Sequence, residues 1–111
     1  MEFRVDASEN AGAAVVAPAG DIDLHTAPRV RESIDRARND GRTVIVVDLS
    51  NVEFLDSSGL GMFVAAHHEL TGDGGALRIA CPPPHAQKVF RITRLAEVIP
   101  IFDSVQEAAS G

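Results

Sequence analysis

The sequence predicts an α/β fold, a mixed and mainly parallel sheet of about five strands packed against about four helices. Three observations predict it. β-Branched apolar runs alternate with amphipathic helical stretches, in the order β-β-α-β-α-β-α-β-α. One run, Thr43-Val44-Ile45-Val46-Val47-Asp48-Leu49, is apolar on both faces, as a strand covered by helices on both sides must be. The 111 residues, 45% of them apolar and 23% charged, suffice for one domain with its own core, so residues 1–111 are expected to form a single domain.

Each element follows from local pattern. Residues 2–8 alternate, with Phe3, Val5 and Ala7 on one face and Glu2, Arg4 and Asp6 on the other, a half-buried strand at an edge and the antiparallel exception in the sheet. Glu9-Asn10-Ala11-Gly12 turns the chain, and Ala13 to Ala17 form a short strand closed by Pro18 and Gly20. Gly20-Asp21-Ile22-Asp23 then reads as a loop carrying two carboxylates. Thr26 is a good N-cap and Pro28 suits a first turn, opening a helix with Ala27, Val30, Ile34 and Ala37 on its apolar face and Asn39-Asp40-Gly41 at its end. After the central strand, Leu60, Phe63, Val64, His67 and Leu70 mark the apolar stripe of a second helix. Residues 76–80 form the next strand, and Pro82-Pro83-Pro84 leads into a helix over about 85–94. Val98 to Phe102 is an edge strand because it carries Pro100, and Ser104-Val105-Gln106-Glu107 matches the capping box of a last helix. In such folds the loops after the strands gather the functional groups, here 20–26, 50–58 and 81–85.

Composition narrows the function. The formal net charge is −6 and the ten cationic residues, nine of them Arg and one Lys88, are scattered, which argues against nucleic acid as a main partner. A single cysteine, Cys81, rules out an internal disulfide and a multi-cysteine zinc site. His67 and His68 are adjacent on a helix, about 100° apart, and do not suit one metal; no metal or cofactor is expected. No signal peptide stands at the start, and no apolar run approaches the roughly 18–20 residues of a bilayer span, so a cytoplasmic protein without a membrane partner is expected.

The most informative stretch is Asp56-Ser57-Ser58-Gly59-Leu60-Gly61, where an apolar run ends and a helix begins. The first N–H groups of a helix lack intrahelical partners and carry partial positive charge, so a phosphate placed there is favoured by about 0.3–1 kcal/mol. Gly59 and Gly61 remove bulk, so that another protein can approach closely. The plain alternative is a helix cap, since Asp and Ser are common caps. Gly61 stands where a capping box wants Glu or Gln, and two glycines near a helix start cost roughly 1 kcal/mol each against Ala. A cap alone does not require that cost.

These residues resemble a known family. Gly20-Asp21-Ile22-Asp23, then Val46-Val47-Asp48-Leu49-Ser50 followed by Phe54-Leu55-Asp56-Ser57-Ser58-Gly59-Leu60-Gly61, and Ile99-Pro100-Ile101-Phe102-Asp103-Ser104 are similar to the corresponding segments of STAS domains, in particular the bacterial anti-sigma factor antagonists. The resemblance implies a STAS-type domain without chemistry of its own. It implies that the unphosphorylated protein binds an anti-sigma factor serine kinase and frees the sigma factor. The kinase then phosphorylates the second serine, here Ser58, and a metal-dependent serine phosphatase restores the unmodified form. Asp21, Asp23, Asp56, Ser57, Ser58, Gly59, Leu60 and Gly61 are the expected partner-binding residues, on a monomer or weak homodimer. Arg94 stands where many members have a Gly that ends the third helix, which points to a different C-cap there, and the triple proline is unusual.

Three other readings remain. A STAS regulatory subunit of a transporter or signalling assembly would share the fold. A receiver-like phospho-aspartate domain would use Asp21, Asp23, Asp48 and Asp56, but its lysine should follow a late strand, and Lys88 lies in a helical pattern. A hydrolase with Ser58 as nucleophile lacks an acid/base pair placed beside it.

Overall fold

A computed structural model describes residues 2–111. Among them the strands are β1 (Arg4–Asn10), β2 (Ala13–Ile22), β3 (Val44–Asp48), β4 (Asn51–Leu55), β5 (Ala76–Ala80) and β6 (Ile101–Phe102). The α-helices are α1 (Ala27–Asn39), α2 (Ser57–Gly72), α3 (Pro84–Thr93) and α4 (Val105–Ser110), with a 3-10 turn at Leu95–Glu97. The sheet runs β1-β2-β3-β5-β6, and β4 pairs with β2. β1 is antiparallel to β2 and every other pairing is parallel, which gives the mixed, mainly parallel sheet that the alternation predicts.

The doubly apolar run does what its sequence requires. Ile45 and Val47 enter a core shared with Val30 and Ile34 of α1, Phe63 and Leu70 of α2, and Phe90 of α3. Val46, pointing the other way, packs with Val15, Ala80 and Ala108 of α4. Three helices therefore cover one face of the sheet and the short α4 covers part of the other. Burying each large apolar side chain contributes about 1.5–3 kcal/mol.

Two elements differ from expectation. β2 does not stop at Ala17 but continues through Pro18 and Gly20 to Ile22. Its first half pairs with β3 up to Val16–Val47 and its second half pairs with β4 from Ala19–Asn51. Pro18 falls at the junction, where β2 has no parallel partner, so its missing N–H breaks no ladder bond on that side. Residues 50–58 are likewise not one loop, because β4 occupies most of them and makes a sixth strand. Its pattern conceals it: Val52 and Leu55 are buried while Glu53 and Phe54 are both exposed, which breaks the period of two. The register explains this. Gly20 pairs with Val52 and Asp21 with Phe54, so Glu53 is the extra residue of a bulge. Gly20, at φ +109°, supplies the backbone that the bend needs.

Smaller corrections follow the same logic. On α2 the buried residues are Gly59, Phe63, Ala66 and Leu70, so the stripe is rotated from the expected one and Val64 is exposed. The last strand is only Ile101–Phe102, because the 3-10 turn at Leu95–Glu97 still holds the residues after it, the Val98 and Ile99 N–H groups both donating to the Leu95 carbonyl at 2.9 Å. Arg94 ends α3 in the left-handed conformation, φ +57°, that a glycine would adopt there. The C-cap expected to differ thus keeps its glycine-like shape with a side chain on it. Ser104 caps α4 as expected, its Oγ accepting from the Glu107 N–H at 3.1 Å.

Candidate functional site

β2 and β4 are parallel and end together, and this brings the two predicted acidic segments to one end of the sheet. The Asp56 N–H donates to the Ile22 carbonyl at 3.1 Å, extending the β2–β4 ladder by one bond. The chain from Asp21 to Thr26 and the start of α2 therefore lie side by side. Asp21 is the exposed next-to-last residue of β2 rather than a loop residue.

The Asp21–Thr26 turn is closed by its own side chains. Thr26 occupies the N-cap position of α1 but makes no capping hydrogen bond there. Its Oγ1 donates to the Asp21 carbonyl at 2.6 Å and accepts from the Asp23 N–H at 2.9 Å. Asp23 Oδ1 accepts from the backbone N–H groups of His25 at 2.9 Å and Thr26 at 3.1 Å. Those bonds favour the ionised form and hold the Asp23 carboxyl below the usual carboxylate range.

On the other side, Asp56 is the N-cap of α2. Its Oδ1 accepts from Ser58 N–H at 2.8 Å and from Gly59 N–H at 3.3 Å. Ser57 is exposed, Ser58 and Leu60 are half-buried and Gly61 is exposed. The expectation that open helix N–H groups receive a phosphate is thus corrected: the donors around Ser58 already serve the Asp56 carboxylate. Gly59 is corrected too. A Cβ on it would lie 2.4 Å from Leu55 Cδ1 and 2.8 Å from Ile22 Cγ2, so its bareness lets α2 sit on the sheet rather than opening the surface to a visitor. Gly61 has nothing within 4 Å of such a Cβ and remains open to the outside.

The other predicted groups lie elsewhere. Asp48, at the end of β3, accepts from the Ser50 N–H at 3.0 Å, and the length of β4 separates it from Asp56. The four aspartates of the receiver-like reading therefore do not form one cluster, and Lys88 lies on α3. The 81–85 loop packs against the beginning of β4, with His85 Nε2 3.1 Å from the Val52 carbonyl. His67 Nδ1 accepts from the Leu77 N–H at 3.2 Å and so joins α2 to β5. Among the described residues no group of three His, Cys, Asp or Glu is arranged to hold a metal ion. No helix among them is long and apolar enough to cross a membrane.

Two residues at this end went unread in the sequence. Leu24 is 70% exposed and Phe54 is 53% exposed. Leu24 lies outside any periodic pattern, and Phe54 reads as the apolar end of a strand until the bulge at Glu53 turns it out.

Comparison with known proteins agrees with this geometry. The STAS domain family matches residues 4–108. The anti-sigma-B factor antagonist of Bacillus subtilis is 32% identical over 91% of this chain and 92% of its own. The crystal structure of an anti-sigma factor antagonist from Mycobacterium paratuberculosis superposes with a TM-score of 0.87 at 28% identity, covering 98% of this chain and 92% of that one. The Bacillus cell fate determinant SpoIIAA in its phosphorylated form superposes with a TM-score of 0.72 at 25% identity, over 98% of this chain and 97% of that one. With a family match that spans nearly the whole chain and relatives alike in both sequence and fold, this chain belongs to the STAS domain family, among the anti-sigma factor antagonists.

Proposed function

We propose that this protein is an anti-sigma factor antagonist switched by phosphorylation of Ser58. The unphosphorylated form binds an anti-sigma factor serine kinase, which then lets go of its sigma factor. The kinase transfers the γ-phosphoryl group of ATP to Ser58 Oγ, the hydroxyl proton leaves and ADP is released. A serine phosphatase hydrolyses the ester and restores the binding form. The protein itself contributes a surface, formed by Asp21, Asp23, Asp56, Ser57, Ser58, Leu60 and Gly61 with Gly59 packed beneath it, and no catalytic group.

The observation that carries this reading is the position of Ser58, half-buried in the first turn of α2, with its own N–H held by Asp56. A kinase can reach it from outside, while its backbone stays fixed relative to the sheet. Phosphorylation adds roughly −1.5 to −2 charges beside a carboxylate that already occupies the helix N-terminus. The protein's charge goes from −6 to about −8. Within the protein the added charge faces water. Under a bound partner it would have to be desolvated or unpaired, at a cost on the order of 2–5 kcal/mol, which is enough to release the partner.

The test pairs mapping with binding. Incubation with the purified kinase and ATP should place phosphate on Ser58, located by mass spectrometry. Ser58→Ala should bind the kinase without being modified. Ser58→Asp should bind at least thirtyfold more weakly while circular dichroism and melting temperature barely move. Phosphate on Ser57 alone would refute the site. Amide shifts spreading across the whole sheet on phosphorylation would replace the local charge mechanism with a conformational one.

A further inference from the structure

Five large apolar side chains are prominently exposed among the described residues, and two of them, Leu24 and Phe54, flank the acidic end of the sheet. Isolated exposed apolar residues are ordinary; grouped ones mark interaction surfaces. The β2–β4 pairing brings the two to the same end of the sheet. Phe54 lies opposite Asp21 in the β2–β4 register. Leu24 is the tip of the turn that Thr26 Oγ1 closes onto the Asp21 carbonyl at 2.6 Å. Its chain runs no more than about 7 Å beyond Ile22, the residue whose side chain underlies Gly59 and whose carbonyl accepts from Asp56.

We infer that Leu24 and Phe54 are the apolar anchors by which the anti-sigma factor docks, seated in an apolar depression on that partner with a cationic side chain facing Asp21. The inference rests on the antagonist reading above and adds which side chains hold the partner. Charge selects the occupant. Asp21, Asp23 and Asp56 lie at the same end of the sheet as the anchors, and among the described residues no Lys or Arg forms an ion pair with any of the three. A second copy of this chain would bring the same acidic rim against itself. Presentation also favours binding. Leu24 sits between Asp23 and Thr26, both engaged in the turn's hydrogen bonds, so little backbone freedom remains to be lost on contact.

The test titrates each purified anti-sigma factor serine kinase of the source organism against wild type, Leu24→Ser, Phe54→Thr, Asp21→Asn and Ser58→Asp, with melting temperature recorded for each. Both apolar replacements change exposed side chains and should leave the fold intact; Phe54→Thr also keeps a strand-forming residue. Leu24→Ser should weaken binding at least tenfold and Phe54→Thr at least threefold. Asp21→Asn should flatten the fall of affinity with added salt. Binding of Leu24→Ser within twofold of wild type, while Ser58→Asp fails to bind, overturns the anchors and leaves the phosphorylation switch standing. Failure of wild type to bind any of the kinases overturns the antagonist reading and the anchors with it. Self-association of wild type in sedimentation that Leu24→Ser abolishes, with kinase binding unchanged, assigns the patch to a second copy and overturns the inference.

Discussion

At its C-terminal end α2 is tied to α1 by charge: Glu69 accepts from Arg31 at 2.6 Å and from Arg38 at 2.8 Å, and Arg38 also holds Asp73 at 2.5 and 3.1 Å. At its N-terminal end the carboxylate of Asp56 accepts only from the backbone of Ser58 and Gly59, and nearby Asp23 likewise accepts from its own turn. One end of the helix has its acids neutralised by arginines of a neighbouring element. The other keeps net negative charge and fixes its geometry through local hydrogen bonds. The lesson concerns where a charge switch can operate. A phosphate added among arginines would be paired within the protein and hidden from a partner. Added at Ser58 it would lie near acids that no Lys or Arg pairs with among the described residues, while the helix is held in place from its far end.

The sharpest way to break the N-terminal end is steric. Gly59→Ala drives a methyl group into Leu55 and Ile22 at 2.4 and 2.8 Å, and urea unfolding should show a loss of about 1–3 kcal/mol. Wild-type stability in that variant would mean that α2 can shift on the sheet. Next is the cap. Asp56→Ala removes the acceptor of two N–H groups and should cost about 1 kcal/mol, much of it restored by Asp56→Asn, a comparably good cap. If Asp56→Asn is as damaging as Asp56→Ala, charge rather than capping holds this end. Away from α2, Arg94→Gly gives a control on backbone strain. It replaces a side chain in the left-handed region with the residue that accepts it, and should stabilise by about 0.5–1 kcal/mol in the same measurement.

The C-terminal end yields the smallest single effect and a pH signature. Hydrogen bonds from Arg31 lower the Glu69 carboxyl below its usual range, and those from Arg38 lower Asp73. A carboxyl depressed in the folded state contributes stability that is present above its unfolded value, near about 4. That contribution is lost as pH falls through the lower folded value. Wild type should therefore lose melting temperature as acid is added below about pH 4, and Arg38→Ala should lose less over the same range. At neutral pH Arg38→Ala should melt slightly below wild type, with the gap closing in high salt, because the pairs are solvent-accessible. A gap that persists in high salt would give Arg38 a packing role instead.

The sequence by itself determined the layers and the switch stretch. Repeating apolar patterns of the right period fix which face of each helix and strand leaves water, so α1, β3 and β5 lie where they were read, and Ser104 caps α4 through purely local chemistry. The motif from Asp56 to Gly61 was legible because a strand-to-helix junction is itself a local event. Tertiary structure decided what depends on residues distant in sequence. That β2 survives Pro18 follows from the changeover from β3 to β4 beside it, and β4 was hidden because the bulge at Glu53 breaks the alternation. That Gly59 serves packing, that Phe54 faces outward and that Leu24 crowns a closed turn beside α2 all follow from β2 and β4 ending together. A periodicity records how a residue relates to its near neighbours in the chain, whereas the β2–β4 register and the contact of Ile22 beneath Gly59 are set by segments some thirty residues or more apart, and only folding brings those together.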